Sequence, residues 1–341
     1  RVTLRGGPFD VRPDALPVVR IGAVVAPLSF ARHDTLTCRV PLTAGSGRLP
    51  VRVDGIAGET AFLAVAEIVV PGIHAVDSPA LDAEGHVYVT CSGSRGQQTP
   101  VSIYRCTADG RREILASGIA NATSLAFDPR GRLHVTSRFD GTVSRVDADG
   151  RVEVVATDLG VACGLVFTSD ATMFVGDRSG TVFRVAAGED PRPLAELPPS
   201  VAAFHLALDA GERALFVTGP TLSSTDVVYR VGLDGGVEQF AGGFGRPQGV
   251  AVDRFGRLHV VEALAGHCGV HRVDSDGGRR LVVAAAGLLA TACGGSAPTA
   301  PAPRSASGRW RATAAMGRWW ASFTASPACR ASGGTTRWRN A

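Results

Sequence analysis

The sequence predicts an all-β chain: a six-bladed-type β-propeller with five legible blades, preceded by an immunoglobulin-like β-sandwich. Three observations predict it. Five related segments, LDAEGHVYVT, FDPRGRLHVT, FTSDATMFVG, LDAGERALFVTG and VDRFGRLHVV, begin at residues 81, 127, 167, 208 and 252, so the spacings are 46, 40, 41 and 44. Each runs on into a further apolar strand: SIYRC, TVSRV, TVFRV, VVYRV or GVHRV. Most then reach a fourth strand through an Asp-Gly turn, as in VDADGRVEVVA and VGLDGGVEQFA. Four short β-rich strands per repeat of about 40–50 residues is the period of a propeller blade. Asp-Gly supplies the positive φ that tight hairpins need, and alternating Val, Ile, Phe and Tyr suit packing of blade on blade.

Taken in order, residues 1–68 lack this period. They show short strands broken by Gly and Pro (RVTLRGGPFD, PVVRIGAVVA, DTLTCRVP, LPVRVDG, ETAFLAV), the pattern of a small sandwich. Residues 69–290 carry the blades. After Leu289 the composition changes: residues 291–341 have no Leu, Ile or Val but contain all four Trp. A segment without branched aliphatics is a poor source of blade strands. The expectation is a disordered or frame-shifted tail in place of the sixth blade, with a basic Trp-containing binding tail as the alternative.

Charge follows the same division. Every basic residue other than His is Arg, and up to Asp276 there are 26 Arg against 31 acids, a balance of −5; nine Arg follow, giving the overall +4. The body therefore offers no nucleic-acid surface, and no apolar run reaches the length of a membrane span. Seven Cys without a C-x-x-C pair or zinc spacing read as small buried residues.

Because the first strand of each blade lines the channel, the residue five before each turn position should stand in a ring at one channel mouth. These residues are Asp77, Thr123, Cys163, Phe204 and Gln248. The second-strand ends give a further set one step outward that includes Asp177 and Glu262. His205 lies beside the ring, placed to act as a general base or ligand or simply to line the channel. His134 and His259 occupy aromatic positions of their strands and read as packing between blades. His267 and His271 have a spacing that need not converge on a metal. No Gly-x-Ser-x-Gly elbow or phosphate-binding loop is found.

DSPALD (77–82), HLALD (205–209), TGPTLSSTDVVYRV (218–231) and RPQGVAVDRFGRLHVVEAL (246–264) resemble the SMP-30/gluconolactonase and NHL-repeat group of six-bladed propellers. For lactonase members the resemblance implies a divalent metal, Ca²⁺ or Zn²⁺, held at the channel mouth by a Glu, Asn side chains and an Asp, where it polarises a lactone carbonyl and activates water. Carried onto this chain, the Glu position is Asp77, the Asn positions are Cys163 or Phe204, and the Asp position is Gln248. One carboxylate remains, which is little charge for a hard dication. GGPF, PVVRIG and LTCRVP resemble the IPT/TIG domain, which implies a spacer or protein-binding module and a location outside the cytoplasm.

Two functions stay open. One is a propeller that binds a small molecule, sugar or partner at its channel mouth through Thr123, Cys163, Phe204, Gln248, Asp177 and Glu262. The other is a lactone hydrolase with Asp77 and His205 catalytic and Asp77 and Gln248 on the metal.

Overall fold

The computed structural model describes residues 1–56, 60–66, 78–107, 109–263 and 269–284, together with the backbone of 289–294 and 320–324. Seven strands come first: β1 (Val2–Arg5), β2 (Val19–Ile21), β3 (Val24–Ala26), β4 (Leu28–Arg32), β5 (Thr35–Cys38), β6 (Gly47–Val53) and β7 (Ala61–Val65). They make two sheets, β1-β5-β4 and β3-β2-β6-β7. Val19, Ile21, Leu36, Cys38, Val51 and Val65, drawn from both, share one core. In β5 the alternation is plain: Leu36 and Cys38 are buried while Thr35 and Thr37 are half-buried, the two-residue period of a strand with one face covered.

Five four-stranded blades follow. Blade one is β8 (Ala80–Leu81), β9 (Val87–Thr90), β10 (Ile103–Cys106) and β11 (Arg112–Ala116); blade two is β12 (Ala122–Phe127), β13 (Leu133–Ser137), β14 (Thr142–Val146) and β15 (Val152–Ala156). Blade three is β16 (Ala162–Phe167), β17 (Met173–Asp177), β18 (Thr181–Val185) and β19 (Arg192–Glu196); blade four is β20 (His205–Leu208), β21 (Ala214–Thr218), β22 (Asp226–Gly232) and β23 (Val237–Phe244). Blade five is β24 (Pro247–Val252), β25 (Leu258–Glu262), β26 (Gly269–Val273) and β27 (Arg279–Ala284). Every blade is an antiparallel meander in chain order, and β27 pairs in parallel with β7 at Ala284 and Val65, which joins blade five to the second N-terminal sheet. The innermost strands β12, β16, β20 and β24 stand side by side in sequence. β28 (Leu289–Gly294) runs beside β24 in the same progression and, among the described residues, pairs with β29 (Trp320–Thr324) in a two-stranded sheet.

Apolar side chains fill the spaces between blades. Ile103 and Ala116 of blade one pack with Leu125, Leu133 and Val135 of blade two; Phe174 and Val182 of blade three pack with Leu206, Leu215 and Val217 of blade four. His134 is part of this packing: it is 5% exposed, its ring lies 4.8 Å from that of Phe167 in the next blade, and Nδ1 is 3.0 Å from Arg132 O. His259 repeats the arrangement on Arg257 O. Burial lowers the pKa of both rings. Cys38, Cys106 and Cys163 are buried and not in disulfides, as small apolar residues would be.

A polar device also recurs between blades. The residue after Val89, Val135 and Val217 in the second strands of blades one, two and four is Thr, and its hydroxyl donates to the backbone carbonyl of the strand entry in the next blade: Thr90 to Thr123 O (2.8 Å), Thr136 to Cys163 O (2.8 Å) and Thr218 to Gln248 O. Thr136 Oγ1 also accepts from Ser124 N at 2.9 Å. In blade three the position is Gly176, and the Phe204 and Leu206 side chains fill the space. Thr136→Val keeps shape and β-propensity but strands a buried carbonyl and amide. It should lower unfolding stability in urea by about 1–3 kcal/mol; an unchanged midpoint would show that the clasp contributes nothing.

The turn between first and second strands is closed by an Asp. Asp128 Oδ1 accepts from Arg130 N and Arg132 N, both at 2.9 Å, and Oδ2 from Arg132 Nε at 2.7 Å; Asp253 does the same for Phe255 N, Arg257 N and Arg257 Nε. Burial pushes both carboxyls up, but the amide bonds and the guanidinium outweigh it and hold them below their ordinary value. A carboxylate whose folded pKa is depressed stabilises fully above its unfolded value of about 3.9, and the contribution is lost as pH falls through the folded value. The urea midpoint should therefore drop below about pH 4, and drop less in an Asp128→Asn/Asp253→Asn double variant. Equal acid sensitivity of the two proteins would contradict this.

Candidate functional site at the channel end

The inner strands pair with the second strands at matching positions beyond the entry. Leu125, Leu165, Leu206 and Val250 face Val135, Val175, Val217 and Val260. Two residues earlier in each strand stand Thr123, Cys163, Phe204 and Gln248, the ring expected from the repeat. They are 2%, 1%, 1% and 8% exposed, so these four described members of the ring are buried. Asp77 and His267 lie outside the described residues.

Each member is committed to the scaffold. Thr123 Oγ1 donates to Asn121 O at 2.9 Å, and the Cys163 carbonyl takes the Thr136 hydroxyl. Phe204 turns into the blade three–blade four core. Two glycines make its slot: a Cβ at Gly219 would lie 3.1 Å from the Phe204 ring, and one at Gly176 would lie 3.0 Å from Phe204 Cβ.

One register later stand Ser78, Ser124, Gly164, His205 and Gly249, where every residue but His205 is small. His205 is 1% exposed and its Nδ1 lies 2.8 Å from Ser78 Oγ. Blades one and four are not neighbours, so this hydrogen bond bridges across the propeller. The sequence marks His205 but not Ser78; the signal was the run of small residues at equivalent positions, which leaves room for one imidazole.

The second-strand ends hold down the loops that enter the same blades. Ser137 Oγ donates to Ala120 O at 2.6 Å. Asp177 Oδ1 accepts from Val161 N at 2.8 Å and Ser179 N at 3.1 Å, and Oδ2 takes the Ser179 hydroxyl. Glu262 Oε1 accepts from Gly245 N at 2.7 Å, and Oε2 lies 3.0 Å from His271 Nε2, with Arg279 at 3.7 Å from Oε1. Burial pushes the Glu262 carboxyl up, but His271, the Gly245 amide and Arg279 outweigh it and keep it below the ordinary range. His271 thus pairs with a carboxylate across the sheet of blade five.

Asn121 belongs with this group and was not singled out in the sequence. It holds φ at +47°, a left-handed conformation Asn tolerates, and its amide ties blade one's loop through Gly96 N (2.7 Å), Gly93 O (2.8 Å) and Ser94 O (3.0 Å). An Asn just ahead of a strand entry is the signal that could have found it.

A Ca²⁺ needs six to eight oxygen ligands and a Zn²⁺ favours His, Cys and carboxylate. Among the described residues the ring offers a hydroxyl already bonded, a thiol, a phenyl and one amide, while Asp177 and Glu262 spend their oxygens on backbone amides, Ser179 and His271. This set does not fit a hard dication. Asp82, Glu84 and His86 do bring ligand atoms within 4.8 Å of one another. They lie at the other end of the blade one inner strand, however, and Asp82 accepts from His86 N (2.8 Å) and Tyr88 OH (3.1 Å) and lies 2.7 Å from His86 Nδ1. His86 takes the place of Arg132 and Arg257 in the sister turns, so the trio is the same Asp turn with a different partner.

No family model matches the chain, and no curated protein matches it by sequence. Solved structures do. A gluconolactonase from Xanthomonas campestris is 19% identical with a TM-score of 0.56, covering 86% of this chain and 91% of that one. A putative gluconolactonase is 16% identical with a TM-score of 0.53, covering 67% and 84%. A calcium-binding regucalcin from Agrobacterium tumefaciens is 18% identical with a TM-score of 0.51, covering 66% and 79%. At these identities the likeness establishes the propeller fold.

Proposed function

We propose that the chain is a binding propeller that takes a small polar molecule or sugar on the channel-end face, without metal-dependent catalysis, and that its N-terminal sandwich serves as a spacer or protein-binding module outside the cytoplasm. The observation that carries this reading is the bridge from His205 to Ser78 across the propeller, with the ring residues Thr123, Cys163 and Phe204 engaged in bonds or packing. A hydrolase that polarises a lactone carbonyl needs an open site where a metal and a water meet the substrate. The face around this bridge still presents exposed Arg95, Arg138, Arg178 and Arg246, guanidinium donors suited to hydroxyl and carboxylate groups of a ligand.

Metal-dependent lactone hydrolysis is the second reading, favoured by the likeness of fold to a gluconolactonase and by Asp77. A pH-stat assay with glucono-δ-lactone and added Ca²⁺ or Zn²⁺ separates the two. The binding reading expects only the buffer rate, together with a melting temperature raised by a subset of sugars. Turnover above background that is lost in His205→Ala would replace it with the hydrolase.

A further inference from the structure

A second feature lies away from the channel, at the outer half of blade four. The loops from Pro198 to Val201 and from Gly219 to Val227 enclose a groove of about 630 Å³ with Tyr229 and Gln239 along its side. Its walls are largely apolar, and Leu222 on the rim is 93% exposed, with nothing folded over it. Asp226 lines the same groove. It is 5% exposed; Oδ1 accepts from Thr221 N at 3.1 Å and Thr221 Oγ1 at 2.6 Å, while Oδ2 is buried without a hydrogen-bond partner. Leaving a buried carboxylate oxygen unbonded costs stability, and closing the turn from Thr221 to Asp226 uses Oδ1 alone.

We propose that this groove binds a small organic ammonium ion, its apolar body against Pro198, Pro199, Leu222 and Tyr229 and its N–H groups donating to Asp226 Oδ2. The ammonium supplies both the missing donor and the opposite charge, and a charge-assisted bond in a largely apolar groove is the strong kind. Burial and the nearby Asp226 charge both push the Tyr229 phenol pKa up. Leu222, Ser223, Ser224 and Thr225 are exposed, so the approach to Asp226 runs past this short segment rather than through any core element. The inference does not depend on the channel-end reading, since no residue of the channel ring enters it.

Calorimetric titration with 2-phenylethylamine, its neutral isostere 2-phenylethanol, and methylammonium tests it on the whole chain. The amine should bind at least about tenfold more tightly than either comparator, because only it combines charge and apolar body. Asp226→Asn keeps the Oδ1 acceptor for Thr221 and should bring the amine down to the affinity of the alcohol. Leu222→Ser, at an exposed rim position, should weaken the amine several-fold with an unchanged melting temperature, which gives a readout even if Asp226→Asn folds poorly. Equal binding of amine and alcohol, no binding of the amine up to about 10 mM, or full affinity in both variants would overturn the proposal. Sugar binding at the channel end, if measured in Asp226→Asn, should be unaffected.

Discussion

Gly180→Ala is expected to lower the stability of the propeller by about 2–4 kcal/mol. Gly180 turns the chain from β17 into β18 with φ at +129°, a region that residues bearing a Cβ rarely enter. A Cβ there would lie 2.2 Å from Leu197 O, a backbone atom that cannot swing aside. Retreat is blocked as well, because Leu197 N donates to Gly180 O at 2.9 Å and so fixes the loop that leads out of blade three. Gly188→Ala is the matched control: φ is +77° and no atom lies within 4 Å of the added Cβ, so only the left-handed penalty of about 1 kcal/mol applies. Urea unfolding of the two variants measures the difference. Equal losses would mean that the close approach to Leu197 is not a constraint.

Glu262→Ala should cost about 2–3 kcal/mol, the range for leaving buried hydrogen-bond partners unsatisfied. The substitution leaves Gly245 N without its acceptor and His271 and Arg279 without their carboxylate. Glu262→Gln should cost less, since an amide oxygen still accepts from Gly245 N. The sign with pH follows from the depressed carboxyl: its contribution is complete above the unfolded Glu value of about 4.3 and disappears as pH falls through the folded value. The gap between wild type and Glu262→Ala should therefore close on acidification. A gap that persists in acid would assign the effect to packing instead.

The repeat was legible because the five blades reuse one local pattern: two-residue alternation and, in most of them, an Asp-closed turn and an Asp-Gly hairpin. That pattern located the strand entries at Thr123, Cys163, Phe204 and Gln248 and the packing role of His134. It could not show the direction of each side chain. Bulges in β12, β16 and β24 shift the register near the entry, whereas β20 pairs regularly from His205, so aligned residues do not face alike. Phe204 entered the blade core because Gly176 and Gly219, far apart in sequence, leave a slot for it. Asp177 and Glu262 looked like ligands because they are acids at a channel end; their partners are backbone amides and a histidine from the next strand, which no spacing rule announces. The Ser78–His205 bond joins residues 127 positions apart and depends on the ring being assembled. The parallel seam between Val65 and Ala284 likewise becomes visible only once the chain has turned through five blades.

The central claim is that the channel end is a hydrogen-bonded bridge and not a metal site. Titration of Ca²⁺ and Zn²⁺ into the purified chain, followed by calorimetry and by melting temperature, tests it most directly, with Asp77→Ala and Gln248→Ala alongside. The account predicts weak binding, no tighter than about millimolar, and the same melting behaviour with and without metal in all three proteins. Micromolar binding to the wild type that is lost in Asp77→Ala, with lactone hydrolysis lost in parallel, would contradict it.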